Sequence, residues 1–131
     1  MNIIYLDQTD STNRYLHDYH AEEDEMVAAV ADYQTAGRGQ GTHTWESAPG
    51  QNLLFSVLIH PQGVKAAEQF ILSEVCALAL KRVLDGYADD ITLKWPNDIY
   101  WRDRKLSGTL IETAVSAAGL RRCIFGVGLN V

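Results

Sequence analysis

The sequence predicts an α+β domain in which helices pack on one face of a mixed, largely antiparallel sheet. Its 131 residues, 47% of them hydrophobic, are enough to build a single core, so we expect one domain over residues 1–131. One long segment repeats apolar residues at helical spacing, a segment with N-cap residues suits a shorter helix, and seven further segments suit strands. The last four strand candidates follow one another without an intervening helix, which favours antiparallel hairpins.

The N-terminal part predicts strand, helix and strand, followed by a long loop. Residues 2–6 suit a short strand, and Asp10 or Ser11 caps a helix that runs to about residue 20. Small apolar residues alternate over residues 26–33, which is typical of a buried strand. That strand places the polar loop after it at a sheet edge, where ligands of α/β proteins often bind.

The remaining elements are one long helix and five strands. The helix is expected over residues 64–84, where apolar residues recur at helical spacing and indicate packing. The strands are expected at residues 52–60, 91–94, 99–101, 106–115 and 123–131, with a hairpin turn at 102–104.

Composition excludes several classes of protein. The net charge is −6, and nucleic-acid binding requires clustered lysine and arginine, so we expect no nucleic-acid partner. No segment approaches the length of a membrane span and no secretory leader precedes the first strand, so we expect a soluble, cytoplasmic protein. Cys76 and Cys123 are expected to be buried thiols without a disulfide. His17 and His20 could supply only two metal ligands, which does not predict a metal site.

A glycine-rich loop is the clearest functional signal. Gly37, Gly39 and Gly41 alternate with Arg38 and Gln40, and Trp45 follows. Such a loop offers backbone N–H groups, a fixed positive charge and a stacking surface, which suit an anion beside a flat ring. The spacing matches neither the dinucleotide fingerprint nor the Walker loop. A nucleotide or acyl-nucleotide is the predicted ligand, and a hairpin connection that binds nothing is the alternative.

The order of the motifs resembles that of the biotin protein ligases over nearly the whole chain. They are Asp10-Ser11-Thr12-Asn13, Gln34 to Gly39, Trp45, Lys94-Trp95-Pro96-Asn97-Asp98, Arg104-Lys105-Leu106-Ser107-Gly108 and Gly126-Val127-Gly128-Leu129-Asn130. The resemblance implies a fold similar to that of class II aminoacyl-tRNA synthetases. It also implies ATP-dependent activation of biotin to biotinyl-5′-AMP, with Mg²⁺ carried by the ATP phosphates. The biotinyl group would then pass to a lysine of a biotin carboxyl carrier protein of a carboxylase.

The same resemblance implies roles for individual residues. Lys105 would contact both the biotin carboxylate and the phosphate, and Arg38 would be the second cation. Lys94 would be the cation that substitutes if one of these two did not take part. Asp98 would contact Mg²⁺ or orient the basic groups, although it also reads as a turn residue. The implied catalytic residues are Lys105, Arg38 and Asp98; the biotin-binding residues are Ser11, Thr12, Asn13, Gln34, Gly37, Arg38 and Lys105; the adenylate-binding residues are Gly39, Gln40, Trp45, Lys94, Asn97 and Asn130.

Some of these residues have a simpler interpretation. Ser11 and Thr12 alone read as a helix N-cap, a role that can coexist with ligand binding. Trp45 and Asn130, expected near adenine, could be ordinary packing or turn residues. We expect no metal site made by the protein itself.

The sequence departs from the resembled family at two points. Many relatives have a second arginine where this chain has Gln40. Relatives also continue with further sheet and helix and a β-barrel domain, and some carry an N-terminal DNA-binding module, so we expect an incomplete catalytic domain without either extra domain. The alternative functions are a lipoate or octanoate ligase or transferase of the same fold, and a truncated, non-catalytic biotin-binding module.

Overall fold

A seven-stranded sheet organises the protein, which is described over residues 1–131 by a computed structural model. The strands are β1 (Asn2–Thr9), β2 (Val27–Gln34), β3 (Leu53–Ile59), β4 (Ile91–Lys94), β5 (Asp98–Trp101), β6 (Arg104–Ser116) and β7 (Gly119–Leu129). The helices are α1 (Thr12–His17) and α2 (Phe70–Leu84), and a 3₁₀ turn spans Ala66–Glu68.

The strand order is β1-β2-β3-β7-β6-β5-β4. β1 and β2 are parallel and are joined through α1, whereas every other neighbouring pair is antiparallel. The predicted α+β class with a mixed, largely antiparallel sheet is therefore confirmed, including the run of hairpins from β4 to β7.

Helix α1 covers the first half of the sheet and is shorter than expected. Its Leu16 is fully buried in a cluster with Val27, Leu58 and Ile124. The helix ends at His17 rather than near residue 20. The guanidinium of Arg122 on β7 donates to backbone carbonyls at this end, which replaces the hydrogen bonds that another helical turn would make.

Helix α2 lies on the opposite face of the sheet. It contributes Leu72 to a second cluster with Cys123 and Ile59. Because successive residues of a strand point to opposite faces, Ile59 and Cys123 face away from Leu58 and Ile124, which pack under α1. Both helices were expected on one face. Helical periodicity shows which residues of a helix are apolar, but not which face of the sheet receives them.

The long helix expected over residues 64–84 was wrong in its first part. Val64 instead lies beside the β6–β7 turn, where its carbonyl accepts the N–H of Leu120 at 2.8 Å, and α2 begins only at Phe70. Its apolar residues also pack less than expected, since Leu72 is the one buried residue of α2. The side chains left half exposed are those of Ile71, Val75, Leu78 and Val83.

The two cysteines are free thiols, as expected, although only Cys123 is fully buried and Cys76 is half-buried. Desolvation raises the pKa of Cys76 to about 11 and that of Cys123 to about 12. Neither α1 nor α2 has the length and apolar character that crossing a membrane would need.

Candidate active site

A cavity of about 360 Å³ opens beside the start of α1, between the glycine loop and strands β6 and β7. The structure brings most of the predicted site residues to its walls. They are Ser11, Thr12, Asn13, Gln34, Arg38, Gly39, Gln40, Trp45, Asn97, Asp98 and Lys105.

Glycines on β6 and β7 form the floor of this cavity. Gly108 pairs with Gly128 across the two strands, and Gly126 lies two residues earlier on the same face. A Cβ atom at Gly128 would overlap the indole of Trp45, and one at Gly126 would overlap the side chain of Asn13. Glycine is required here because two side chains rest directly on the sheet backbone.

One end of the cavity is a network of buried polar groups. The backbone N–H of Thr12 donates to Gln34 Oε1 at 2.7 Å, and the hydroxyls of Thr12 and Ser56 lie 2.6 Å apart. Ser56 Oγ donates to Asn13 Oδ1 at 2.5 Å, and Asn13 Nδ2 donates to Glu112 Oε1 at 2.9 Å. Buried polar groups that satisfy one another are held rigidly and can recognise a compact polar ligand.

Ser11 caps helix α1 and also lies at the wall of the cavity. Its hydroxyl accepts the backbone N–H of Arg14 at 3.1 Å as the N-cap of α1. The residue is nevertheless buried at the wall of the cavity. The cap therefore places this side chain beside the polar network.

Two cations face the same cavity, and each is held by a carboxylate. Lys105 Nζ lies 3.3 Å from Asp98 Oδ1 and 5.6 Å from the centre of the Trp45 ring. Arg38 Nη2 lies 2.8 Å from Glu112 Oε1. Asp98 is therefore in direct contact with one of the two cations. No group of three His, Cys, Asp or Glu side chains is placed to hold a metal ion.

The glycine loop is a narrow hairpin whose polar groups are partly used within the loop. The N–H of Gly39 donates to the His43 carbonyl at 2.8 Å, and the N–H of Trp45 donates to the Gly37 carbonyl at 2.9 Å. Fewer backbone N–H groups are therefore free for a ligand than the glycine pattern suggested. The indole N–H of Trp45 is buried and has no hydrogen-bond partner.

Three predicted residues lie outside the cavity. Lys94 is exposed on β4, with its ammonium 5.0 Å from the centre of the Tyr100 ring. Asn130 donates to the carbonyl of Lys105 at 3.2 Å, so it supports the backbone beside a site residue. Gly37 packs against the Trp45 backbone, where a Cβ atom would overlap the Trp45 carbonyl.

Sequence reasoning missed Glu112 and Ser56. Each is a polar residue that directly follows two apolar residues of its strand, Glu112 after Leu110-Ile111 and Ser56 after Leu54-Phe55. That contrast was the available signal. It could not show that both side chains reach Asn13, because this depends on how the strands pair.

Such a cavity can hold a compact polar ring at the α1 end and an anion beside Arg38 and Lys105. The chain belongs to the Biotin/lipoate A/B protein ligase family, whose sequence profile matches residues 5–130.

Among curated relatives, the chain is 39% identical over 132 residues to the bifunctional ligase/repressor BirA of Salmonella typhimurium, covering 99% of this chain and 41% of that protein. It is 35% identical over 130 residues to a biotin–[acetyl-CoA-carboxylase] ligase of Paracoccus denitrificans, covering 96% of this chain and 53% of that protein.

A solved biotin protein ligase from Aquifex aeolicus, in complex with biotin and ATP, superposes with a TM-score of 0.79 at 34% identity, covering 99% of this chain and 52% of that one. The chain therefore spans about half the length of the relatives it matches.

Proposed function

We propose that this protein activates biotin with ATP to form biotinyl-5′-AMP and pyrophosphate, and transfers the biotinyl group to a lysine of a biotin carboxyl carrier protein. The observation that carries the proposal is the convergence of Lys105 and Arg38 on a cavity whose other end is a buried hydrogen-bonding network. The Aquifex aeolicus relative holds biotin and ATP together in the same fold.

The polar network is suited to the ureido ring of biotin, which has two N–H donors and one carbonyl acceptor. Ser11, Thr12, Asn13 and Gln34 surround that end of the cavity and present both kinds of partner. A site built to hydrogen-bond such groups discriminates strongly against ligands that lack them.

The cations address the main electrostatic difficulty of the first step. A biotin carboxylate oxygen attacks the α-phosphorus of ATP, and the bond to pyrophosphate breaks. Two anionic groups about 4 Å apart repel by about 4 kcal/mol at an effective dielectric near 20. Lys105 and Arg38 offset this repulsion, and Asp98 keeps the Lys105 ammonium directed at the cavity.

The nucleotide is expected at the Trp45 side of the cavity, beside Gly39 and Gln40. The indole is fixed against the glycine floor and offers a face to the adenine ring. Asn97 is held by donating to the Thr109 carbonyl at 3.0 Å. Asn130 would take part through the Lys105 backbone that it supports. Mg²⁺ arrives with the ATP phosphates as part of the substrate.

The second step would join the biotinyl group to a carrier lysine. The lysine amine attacks the biotinyl carbonyl carbon, and AMP leaves with the electron pair of the broken anhydride bond. The name of the Paracoccus denitrificans relative supports the carrier domain of a carboxylase as the partner.

The experiment that tests the proposal measures pyrophosphate release with biotin and ATP supplied together and separately. Release that requires both substrates is expected. Calorimetry with biotin and, separately, with lipoate then distinguishes the two branches of the family. We expect heat of binding with biotin and none with lipoate. Binding of lipoate without biotin, or binding of biotin without pyrophosphate release, would reject the proposal.

A further inference from the structure

A single carboxylate oxygen links the two ends of the cavity. Glu112 Oε1 accepts from Arg38 Nη2 at 2.8 Å and from Asn13 Nδ2 at 2.9 Å. Arg38 belongs to the glycine loop and Asn13 to the polar network, and they lie 74 and 99 residues from Glu112 in sequence. This carboxylate therefore ties the loop to the network through β6.

Glu112 also determines which group donates and which accepts in each hydrogen bond of the polar network. The Asn13 amide nitrogen faces Glu112 Oε1 and the Leu110 carbonyl, which can only accept hydrogen bonds, so the Asn13 oxygen must face Ser56. The Ser56 hydroxyl then donates its only proton to Asn13. At 2.6 Å from Ser56, the Thr12 hydroxyl must donate to it in turn.

The consequence is a directed chain of hydrogen bonds from Thr12 through Ser56 and Asn13 to Glu112. The Thr12 hydroxyl also lies 3.1 Å from Gln34 Oε1, but that distance is longer, and the oxygen already accepts the Thr12 backbone N–H. With its proton committed to Ser56, Thr12 Oγ1 presents lone pairs and suits an N–H donor of a ligand.

We propose that Glu112 is a positioning residue that holds Arg38 over the cavity and makes the Thr12 hydroxyl an acceptor for a ring N–H. The substrate identity in this inference rests on the proposed function. The tether itself is a property of the ligand-free protein. The salt bridge is partly exposed, with 34% of the Glu112 side chain and 49% of that of Arg38 accessible, so Arg38 can leave for a phosphate without stranding a buried charge.

Two substitutions separate the two roles. In Glu112→Gln the neutral amide oxygen can still accept from Asn13 and from Arg38, but the charge of the salt bridge to Arg38 is lost. In Glu112→Leu both contacts are lost. Glu74→Gln is the matched control, since Glu74 is exposed on α2 across the sheet from the cavity. The measurements are hydrogen exchange in the ligand-free protein, biotin binding by calorimetry and the kinetics of pyrophosphate release.

In Glu112→Gln we expect faster exchange at the hydrogen-bonded amides of Gly39, His43 and Trp45, because the loop loses the ionic part of its tether, and still faster exchange in Glu112→Leu. We also expect kcat/KM for ATP to fall about three- to tenfold while biotin affinity stays within about twofold. In Glu112→Leu, biotin affinity is expected to fall about tenfold as well, since a hydrogen bond to a charged group is removed. Glu74→Gln should leave all three measurements unchanged.

Unchanged loop exchange in both Glu112→Gln and Glu112→Leu would overturn the tether. Equal losses of biotin affinity in the two Glu112 variants would overturn the division into two roles and indicate a general structural effect. If the wild-type chain neither binds biotin nor releases pyrophosphate, the proposed function fails, and the exchange measurement alone still decides whether Glu112 holds the loop.

Discussion

Replacing Lys105 with alanine should separate catalysis from stability. Its side chain is 42% exposed and its salt-bridge partner Asp98 is 31% exposed, so solvent screens the pair. Pairs of this kind contribute about 0–1 kcal/mol, and water can solvate Asp98 once the lysine is gone. We therefore expect the free energy of unfolding of Lys105→Ala to change by less than about 1 kcal/mol.

The effect on adenylate formation should be much larger. One positive charge about 4 Å from a phosphoryl anion is worth about 4 kcal/mol at an effective dielectric near 20, which corresponds to about a thousandfold in rate. Part of this interaction already exists in the bound substrate, and only the remainder lowers the barrier. A loss of about a hundred- to a thousandfold in kcat is expected, comparable with the loss of one oxyanion donor.

The assay is single-turnover pyrophosphate release, with urea unfolding measured on the same samples. Lys81→Ala is the matched control, because Lys81 also pairs with an aspartate, Asp85, at 2.8 Å but lies on α2 away from the cavity. Lys94→Ala tests whether the reserve cation takes any part, and its rate should stay near that of the wild type. A near-normal rate in Lys105→Ala, or an equal loss in Lys94→Ala, would refute this reasoning.

Three further predictions concern the glycine loop, the glycine floor of the cavity and the thiol of Cys76. Gln40→Arg should slow escape of biotinyl-5′-AMP, because it adds a positive charge at the cavity wall; an unchanged dissociation rate in a filter assay would contradict this. Gly128→Ala should lower the free energy of unfolding in urea by about 1–3 kcal/mol, since the new methyl group overlaps Trp45, and equal stability would show that the indole is not held there. Cys76, with its pKa raised to about 11, is deprotonated only as the pH approaches that value, so folded-state alkylation at pH 8 should be about a hundredfold slower than in urea. Similar rates in the two conditions would show that burial does not control this thiol.

Much of the fold could be read from local patterns. All seven strands and both helices lie where capping residues and apolar patterns placed them, apart from shifts at their ends and the late start of α2 at Phe70. The cap at Ser11 was also recognisable, because capping depends on residues only a few positions apart. The exposed positions of α2 were not predictable, since the apolar spacing of a helix does not show what covers it.

The sequence predicted which residues form the candidate site better than it predicted where their side chains lie. Resemblance to a family brought Arg38, Lys105 and Asp98 into consideration, and the structure places all three at one cavity. It did not show that Lys94 turns away toward Tyr100, because that depends on the side of the β4–β5 hairpin from which the lysine projects.

The sequence by itself determined the strand and helix segments, the capped start of α1 and the glycines that let side chains rest on β6 and β7. These features follow from local sterics, hydrogen bonding and apolar spacing. Only the tertiary structure decided which face each helix covers and that Glu112 meets both Arg38 and Asn13. Such contacts join residues far apart in the chain, and they exist because strand register and side-chain alternation aim those groups at one point.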